Sequence, residues 1–187
     1  METQPRAIVW ALQSLADRID SVTRTIGRVI AVLGFATAII CYATVYMRYA
    51  VGVGYTWTQE LYIWTHVLLI MLGSSYTLMQ GGFVRVDLIY ARCTDRTKAW
   101  IDLFGALFFT LPFIVTIAWY GWPFFFDSYA MRERSLYDDG LPALYLLKGS
   151  LLVFSFLLFL QIIAEISRCV ALLAGGTATR QVSGHSV

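Results

Sequence analysis

Charge is scarce in this chain. Asp, Glu, Lys and Arg make up 14% of its 187 residues, against about 25% in an ordinary soluble domain. Hydrophobic residues reach 58% and aromatics 16%. This deficit excludes a water-soluble globular domain and identifies an integral membrane protein. Cysteine and histidine are sparse as well. Cys41, Cys93 and Cys169 stand apart with no Cys-x-x-Cys, which removes thiol redox chemistry and a thiolate metal site and leaves small buried hydrophobes. The two histidines are His66 and His185. With His185 in the polar tail, they cannot form the facing axial pair of a b-type cytochrome, and only a single-histidine site shared with a partner is left to a redox reading. No glycine-rich phosphate loop occurs. The apolar runs leave no length for an ATP-binding module, so any energy source lies in a partner or an ion gradient. Neither enzymatic activity nor a cofactor or metal is expected.

Four apolar stretches are long enough to cross about 30 Å of hydrocarbon as helices, which takes roughly 20 residues each. They cover 29–47, 61–79, 103–126 and 143–166. Basic loops stay cytoplasmic, and ten of the Lys and Arg residues fall on one side of these spans against four on the other (Arg48, Arg132, Arg134 and Lys148). The fold class is therefore an all-α integral membrane protein with four transmembrane helices, an N-terminal amphipathic helix and both termini cytoplasmic. Its organisation is 1–25 as the amphipathic segment, 26–174 as the membrane domain and 175–187 as a tail of disordered composition.

Residues 1–25 do not read as a signal peptide, because the run "AIVWAL" is short and no small-residue cleavage site follows. Ile8, Leu12, Leu15, Ile19, Val22 and Ile26 recur at helical spacing, while Gln13, Asp17, Asp20 and Arg24 lie elsewhere on the same helix. Such a segment lies in the membrane interface or packs on a partner, or else it simply continues into the first span, where Arg28 and Arg48 can snorkel to water. Thr56 and Gln59 have capping-box spacing at the start of the second span, and Glu60 falls in its first turn, where the helix dipole favours a carboxylate. At 100° per residue Glu60 shares a face with Trp57, Trp64 and Met71, and His66 points about 120° away, with Tyr62, Gly73 and Thr77. The two therefore form no acid–base dyad. The Gly73 and Thr77 face suits close helix packing, across which His66 could hydrogen-bond; a ligand or relay role for His66 is the alternative.

Pro112 should kink the third span, which ends in the aromatic belt "WYGWPFFF". The longest external loop follows, with Asp127, Glu133, Asp138 and Asp139 against Arg132 and Arg134. Pro142 stands where a fourth helix can begin, and Lys148 lies inside that helix within snorkelling reach. No internal repeat occurs, nor paired broken helices of the kind that form a transporter's own substrate site. A self-contained proton-coupled exporter would need a carboxylate deep in a span, and Glu60, Asp102 and Glu165 all lie near boundaries.

Three patches together resemble the small permease subunit, DctQ-like, of tripartite ATP-independent periplasmic (TRAP) transporters, over about residues 20 to 174. They are "TWTQEL" with Trp57 and Glu60; "GSSYTLMQGGFVRVDLIY" with Arg85 and Asp87; and "DDGLPALYLLKGSLLVF" continuing to "LLFLQIIAEI", with Gly140, Pro142, Lys148 and Gln161. Phe83 stands where the family often has histidine, and Leu151 and Leu152 where it often has proline. The resemblance implies a scaffold subunit in a bacterial inner membrane, N-in and C-in. Its partners would be a large DctM-like permease holding the substrate and sodium sites, a periplasmic binding protein delivering an organic acid such as a 2-oxo acid or dicarboxylate, and membrane lipids. No nucleic acid is involved. Trp57, Glu60, Trp64, Arg85, Asp87, Asp138, Asp139 and Lys148 are the candidate contacts with these partners. A proton-coupled exporter and the anchor subunit of a redox complex are the alternatives.

Overall fold

The computed structural model describes residues 3–82 and 93–174, with side chains from Val9 onward. Every regular element among them is helical: α1 (Thr3–Tyr46), α2 (Thr56–Met79), α3 (Asp95–Gly105), α4 (Leu111–Ala130) and α5 (Leu144–Leu173). A π turn, Met47–Val51, extends α1, and a second, Ala106–Thr110, joins α3 to α4. Four helices among the described residues are long and apolar enough to cross a membrane: Val9–Val51, Thr56–Met79, Asp95–Ala130 and Leu144–Leu173. The protein is thus all-α and multi-pass in its build, as the four apolar runs anticipate.

Local chemistry explains most boundaries. α1 stops where Gly52 takes a left-handed conformation (φ 75°) and returns its N–H to the Met47 carbonyl, a cap that glycine adopts without a Cβ penalty. Thr94 caps α3, accepting from the Thr97 N–H at 3.3 Å. The second π turn sits immediately before Pro112, whose missing N–H removes one helical bond; the widened turn at 106–110 absorbs that loss. α5 starts at Leu144, not at Pro142 as expected. Ala143 is left-handed (φ 69°), so the helix cannot propagate back through it to the proline.

The amphipathic segment and the first span form one helix, so the reading of a separate interfacial helix gives way to the continuous one. The buried face of α1 explains why. It carries Ala16, Thr23 and Ile30, with Asp20 half-buried, whereas Leu15 and Val22 of the apolar stripe are exposed. Along this segment the contact with α5 is made by polar bonds from Asp20 and Thr23 to Gln161 and Arg168, so the apolar stripe is not the packing face.

The chain divides into two compact units. The first comprises Met1–Arg24, Ser75–Val115 and Leu157–Val187. Its core pairs α1 with the C-terminal half of α5, where Leu158, Ile162, Ala164 and Ala171 are buried. The second comprises Thr25–Ser74 and Thr116–Phe156. Here α1 and α2 pack antiparallel through glycines: a Cβ at Gly34 would lie 3.5 Å from Leu69, and one at Gly73 would lie 3.7 Å from Ile30. α4 and α5 pack the same way, tighter still. A Cβ at Gly121 would come within 3.2 Å of Leu151, and one at Gly149 within 3.0 Å of the Phe125 ring.

Candidate functional site

In the second unit, three acids build the loop 131–143. Glu60, in the first turns of α2, accepts hydrogen bonds from the Ser135 hydroxyl and from the Leu141 N–H, the latter at 2.6 Å. Asp139 accepts from the Thr56 N–H at 3.0 Å, so a loop carboxylate caps α2 from 83 positions away. This replaces the capping box expected within α2. Thr56 is the first helical residue, and Gln59 instead accepts from Arg48 Nη2 at 3.1 Å. Glu133 accepts from Lys148 Nζ and from the Ser128 hydroxyl. Lys148 also lies 4.3 Å from the centre of the Phe124 ring.

These bonds set the loop's electrostatics. The Lys148 ammonium, then the Ser128 hydroxyl, holds the Glu133 carboxyl below its usual range. The Thr56 N–H does the same for Asp139. Backbone bonds complete the frame: Glu133 N–H to Ser128 O, Leu144 N–H to Glu133 O, and Ser135 N–H to Leu141 O at 3.3 Å. Gly140 is required here, because a Cβ would lie 3.0 Å from Glu60 Oε1 and inside contact with Ser135. Arg132 and Ala143 hold left-handed conformations (φ 47° and 69°), each costing roughly 1–2 kcal/mol in a non-glycine residue. A loop so braced presents its apex rigidly: Leu136 is 99% exposed, with Tyr137 and Met131 beside it in sequence and also exposed.

In the first unit, a polar network ties α1 to α5. Asp20 Oδ1 accepts from Gln161 Nε2 at 2.9 Å, and its Oδ2 accepts from Arg168 Nη1 at 2.7 Å. Arg168 Nη2 donates to Glu165 at 3.1 Å, and the Thr23 hydroxyl donates to Gln161 Oε1 at 3.0 Å. Gln161 is fully buried, and Glu165 and Thr23 nearly so. Each partner satisfies another, as buried polar groups require. Asp20, read as a surface residue, is central to this network.

The expected contact residues divide accordingly. Glu60, Asp139 and Lys148 make bonds within their own unit, whereas Trp57 and Asp138 are exposed and Trp64 is half-buried. Arg85 and Asp87 lie outside the described residues. The structure adds Ser135, Glu133, Asp20 and Arg168. The first two were legible only as members of a polar loop, and the last two only as scattered charges. His66 corrects another expectation. It is exposed, on the α2 face that also shows Ile63 and Ile70, and makes no packing contact with the described helices of its own chain. The helical wheel separates it correctly from Glu60, but the wheel does not say which face packs.

Long apolar helices whose ionisable groups near the span ends brace one helix or loop against another build a multi-pass membrane protein. The comparison with known families makes this specific. The family described as "Tripartite ATP-independent periplasmic transporters, DctQ component" matches residues 37–172, and the chain belongs to it. It is the small membrane component of such a transporter. The chain matches no curated protein and no solved structure.

Proposed function

We propose that this chain is the fixed scaffold of a sodium-coupled importer of organic acids. In that assembly a large membrane component carries the substrate and sodium, and a periplasmic binding protein delivers a carboxylate such as a 2-oxo acid or a dicarboxylate. The observation that carries the reading is how the ionisable side chains are used. Asp20, Glu165 and Arg168 join α1 to α5, while Glu60, Glu133 and Lys148 hold the loop 131–143 to its helices. Such groups hold a helix set at a given depth and tilt; they do not exchange an ion. The self-contained exporter loses support on the same ground, since its best acid, Glu60, accepts from Ser135 and Leu141.

In the membrane both termini are cytoplasmic, and the loop 131–143 faces the periplasm, where its exposed apex, with Trp57 and Asp138, meets the binding protein. Arg85 and Asp87 lie on the cytoplasmic side. Two measurements test this. Tagged chain co-expressed with the large component should co-purify with it in detergent. A cysteine at position 136 should react with an impermeant thiol reagent added from the periplasm, and one at position 85 should not. A chain that purifies alone, or the reverse labelling pattern, overturns the reading.

A further inference from the structure

His66 lies ten residues into α2, about 15 Å along its axis at 1.5 Å per residue. Counted from the start of the apolar run at Leu61, it is about 8 Å inside a hydrocarbon core of roughly 30 Å. It is exposed between Ile63 and Ile70, which are themselves 42% and 52% exposed. Among the described residues it has no hydrogen-bond partner. A neutral imidazole carries one donor and one acceptor, and neither can be met by lipid chains. Unlike lysine or arginine, the ring has no long flexible stem with which to reach the headgroups from that depth.

The other outward faces of the second unit differ in kind. α1 shows Val32, Phe35 and Ile39, and α4 shows Trp119 and Tyr120. Those faces suit acyl chains or the interface belt. The α2 face has a polar demand at a depth where only protein can meet it.

We propose that the face of α2 bearing Ile63, His66 and Ile70 is the seat of a transmembrane helix of the transporter's large membrane component, which presents a hydroxyl, amide or carboxyl group to His66 within the membrane. This rests on the scaffold reading above. The membrane component that moves the substrate is a second polypeptide, and it supplies the helix that a histidine in lipid requires. The bulky branched neighbours, Ile63 and Ile70, set the fit around a central hydrogen bond.

The test uses the whole complex. A photo-crosslinking amino acid is placed at position 63, 66 or 70, or at the control positions 32 and 35, with the large component co-expressed, and the complexes are irradiated in native membranes. Crosslinks to the large component from 63, 66 and 70 and none from 32 and 35 are expected. Separately, His66→Leu should raise complex dissociation about three- to eighteen-fold, the range spanned by measured interhelical hydrogen bonds in membranes, and His66→Gln should restore most of the loss. If the wild-type pair co-purifies but the α2 positions crosslink only lipid, or only a second copy of this chain, the assignment of the face is wrong while the scaffold reading stands. If the pair does not co-purify at all, both fall.

Discussion

Asp20→Ala removes the acceptor for two bonds at once, one from Gln161 and one from Arg168. Asp20 and Arg168 have side-chain exposures of 20% and 18%, so the small values typical of surface pairs do not apply. A hydrogen bond to a charged group contributes about 1.5–3 kcal/mol, which puts the gross loss at roughly 3–6 kcal/mol. Arg168 keeps Glu165 as a partner at 3.1 Å, and water can enter the truncated site. We therefore expect a net cost of about 2–4 kcal/mol, equivalent to a fall of about 4–16 °C in midpoint for a chain of this length. Cys169 reports the event directly, being 6% exposed and next in sequence to Arg168. With Cys41 and Cys93 replaced by serine, thiol-dye labelling during a thermal ramp in nanodiscs should begin at the lower temperature. The cycle with Gln161→Ala should show coupling of about 0.5–3 kcal/mol. A midpoint shift below about 2 °C, or strictly additive effects, would refute the claim that this network joins α1 to α5.

Four further outcomes follow from the geometry. Glu60→Ala should free the loop 131–143, losing roughly 2–4 kcal/mol of local stability from two charge-assisted bonds; faster amide exchange there, with α5 unchanged, is the readout. Glu133 and Asp139 have lowered carboxyl pKa values, so their contribution is full above the ordinary carboxylate range and is lost as pH falls through the depressed values. Protease nicking near Leu136 should accordingly rise on acidification below about pH 4 and stay level between about pH 6 and 8. Ala143→Gly should stabilise the loop by about 0.5–1 kcal/mol, since glycine takes φ 69° without the Cβ penalty; destabilisation in chemical unfolding would contradict the backbone assignment. Gly149→Leu should cost about 1–3 kcal/mol by overpacking, because its Cβ would meet the Phe125 ring at 3.0 Å; an unchanged thermal midpoint would argue against the α4–α5 packing.

How much of this was legible in the sequence depends on whether the signal is local. The four apolar runs appear as helices because length and hydropathy are local properties, and near Pro112 the helix widens into a π turn at 106–110. The inward face of α1 was not legible. Asp20 and Thr23 are turned in because they bond to Arg168 and Gln161 of α5, with small Ala16 beside them, while Leu15 and Val22 are turned out. The cap of Thr56 by Asp139 and the bond of Asp20 to Arg168 span 83 and 148 positions, and no local pattern encodes them. Glu60 and Asp139, which looked like exposed docking charges, are fastenings, whereas Asp138, the apex at Leu136 and the α2 face around His66 are exposed.

In the proposed scaffold role, this chain positions a transporter without itself transporting. Proteoliposomes with a sodium gradient and purified binding protein loaded with its radiolabelled organic acid test it most directly. No uptake is expected with this chain alone, and sodium-dependent uptake when the large component is co-reconstituted with it. Uptake by the chain alone, or full uptake by the large component without it, would refute the scaffold role.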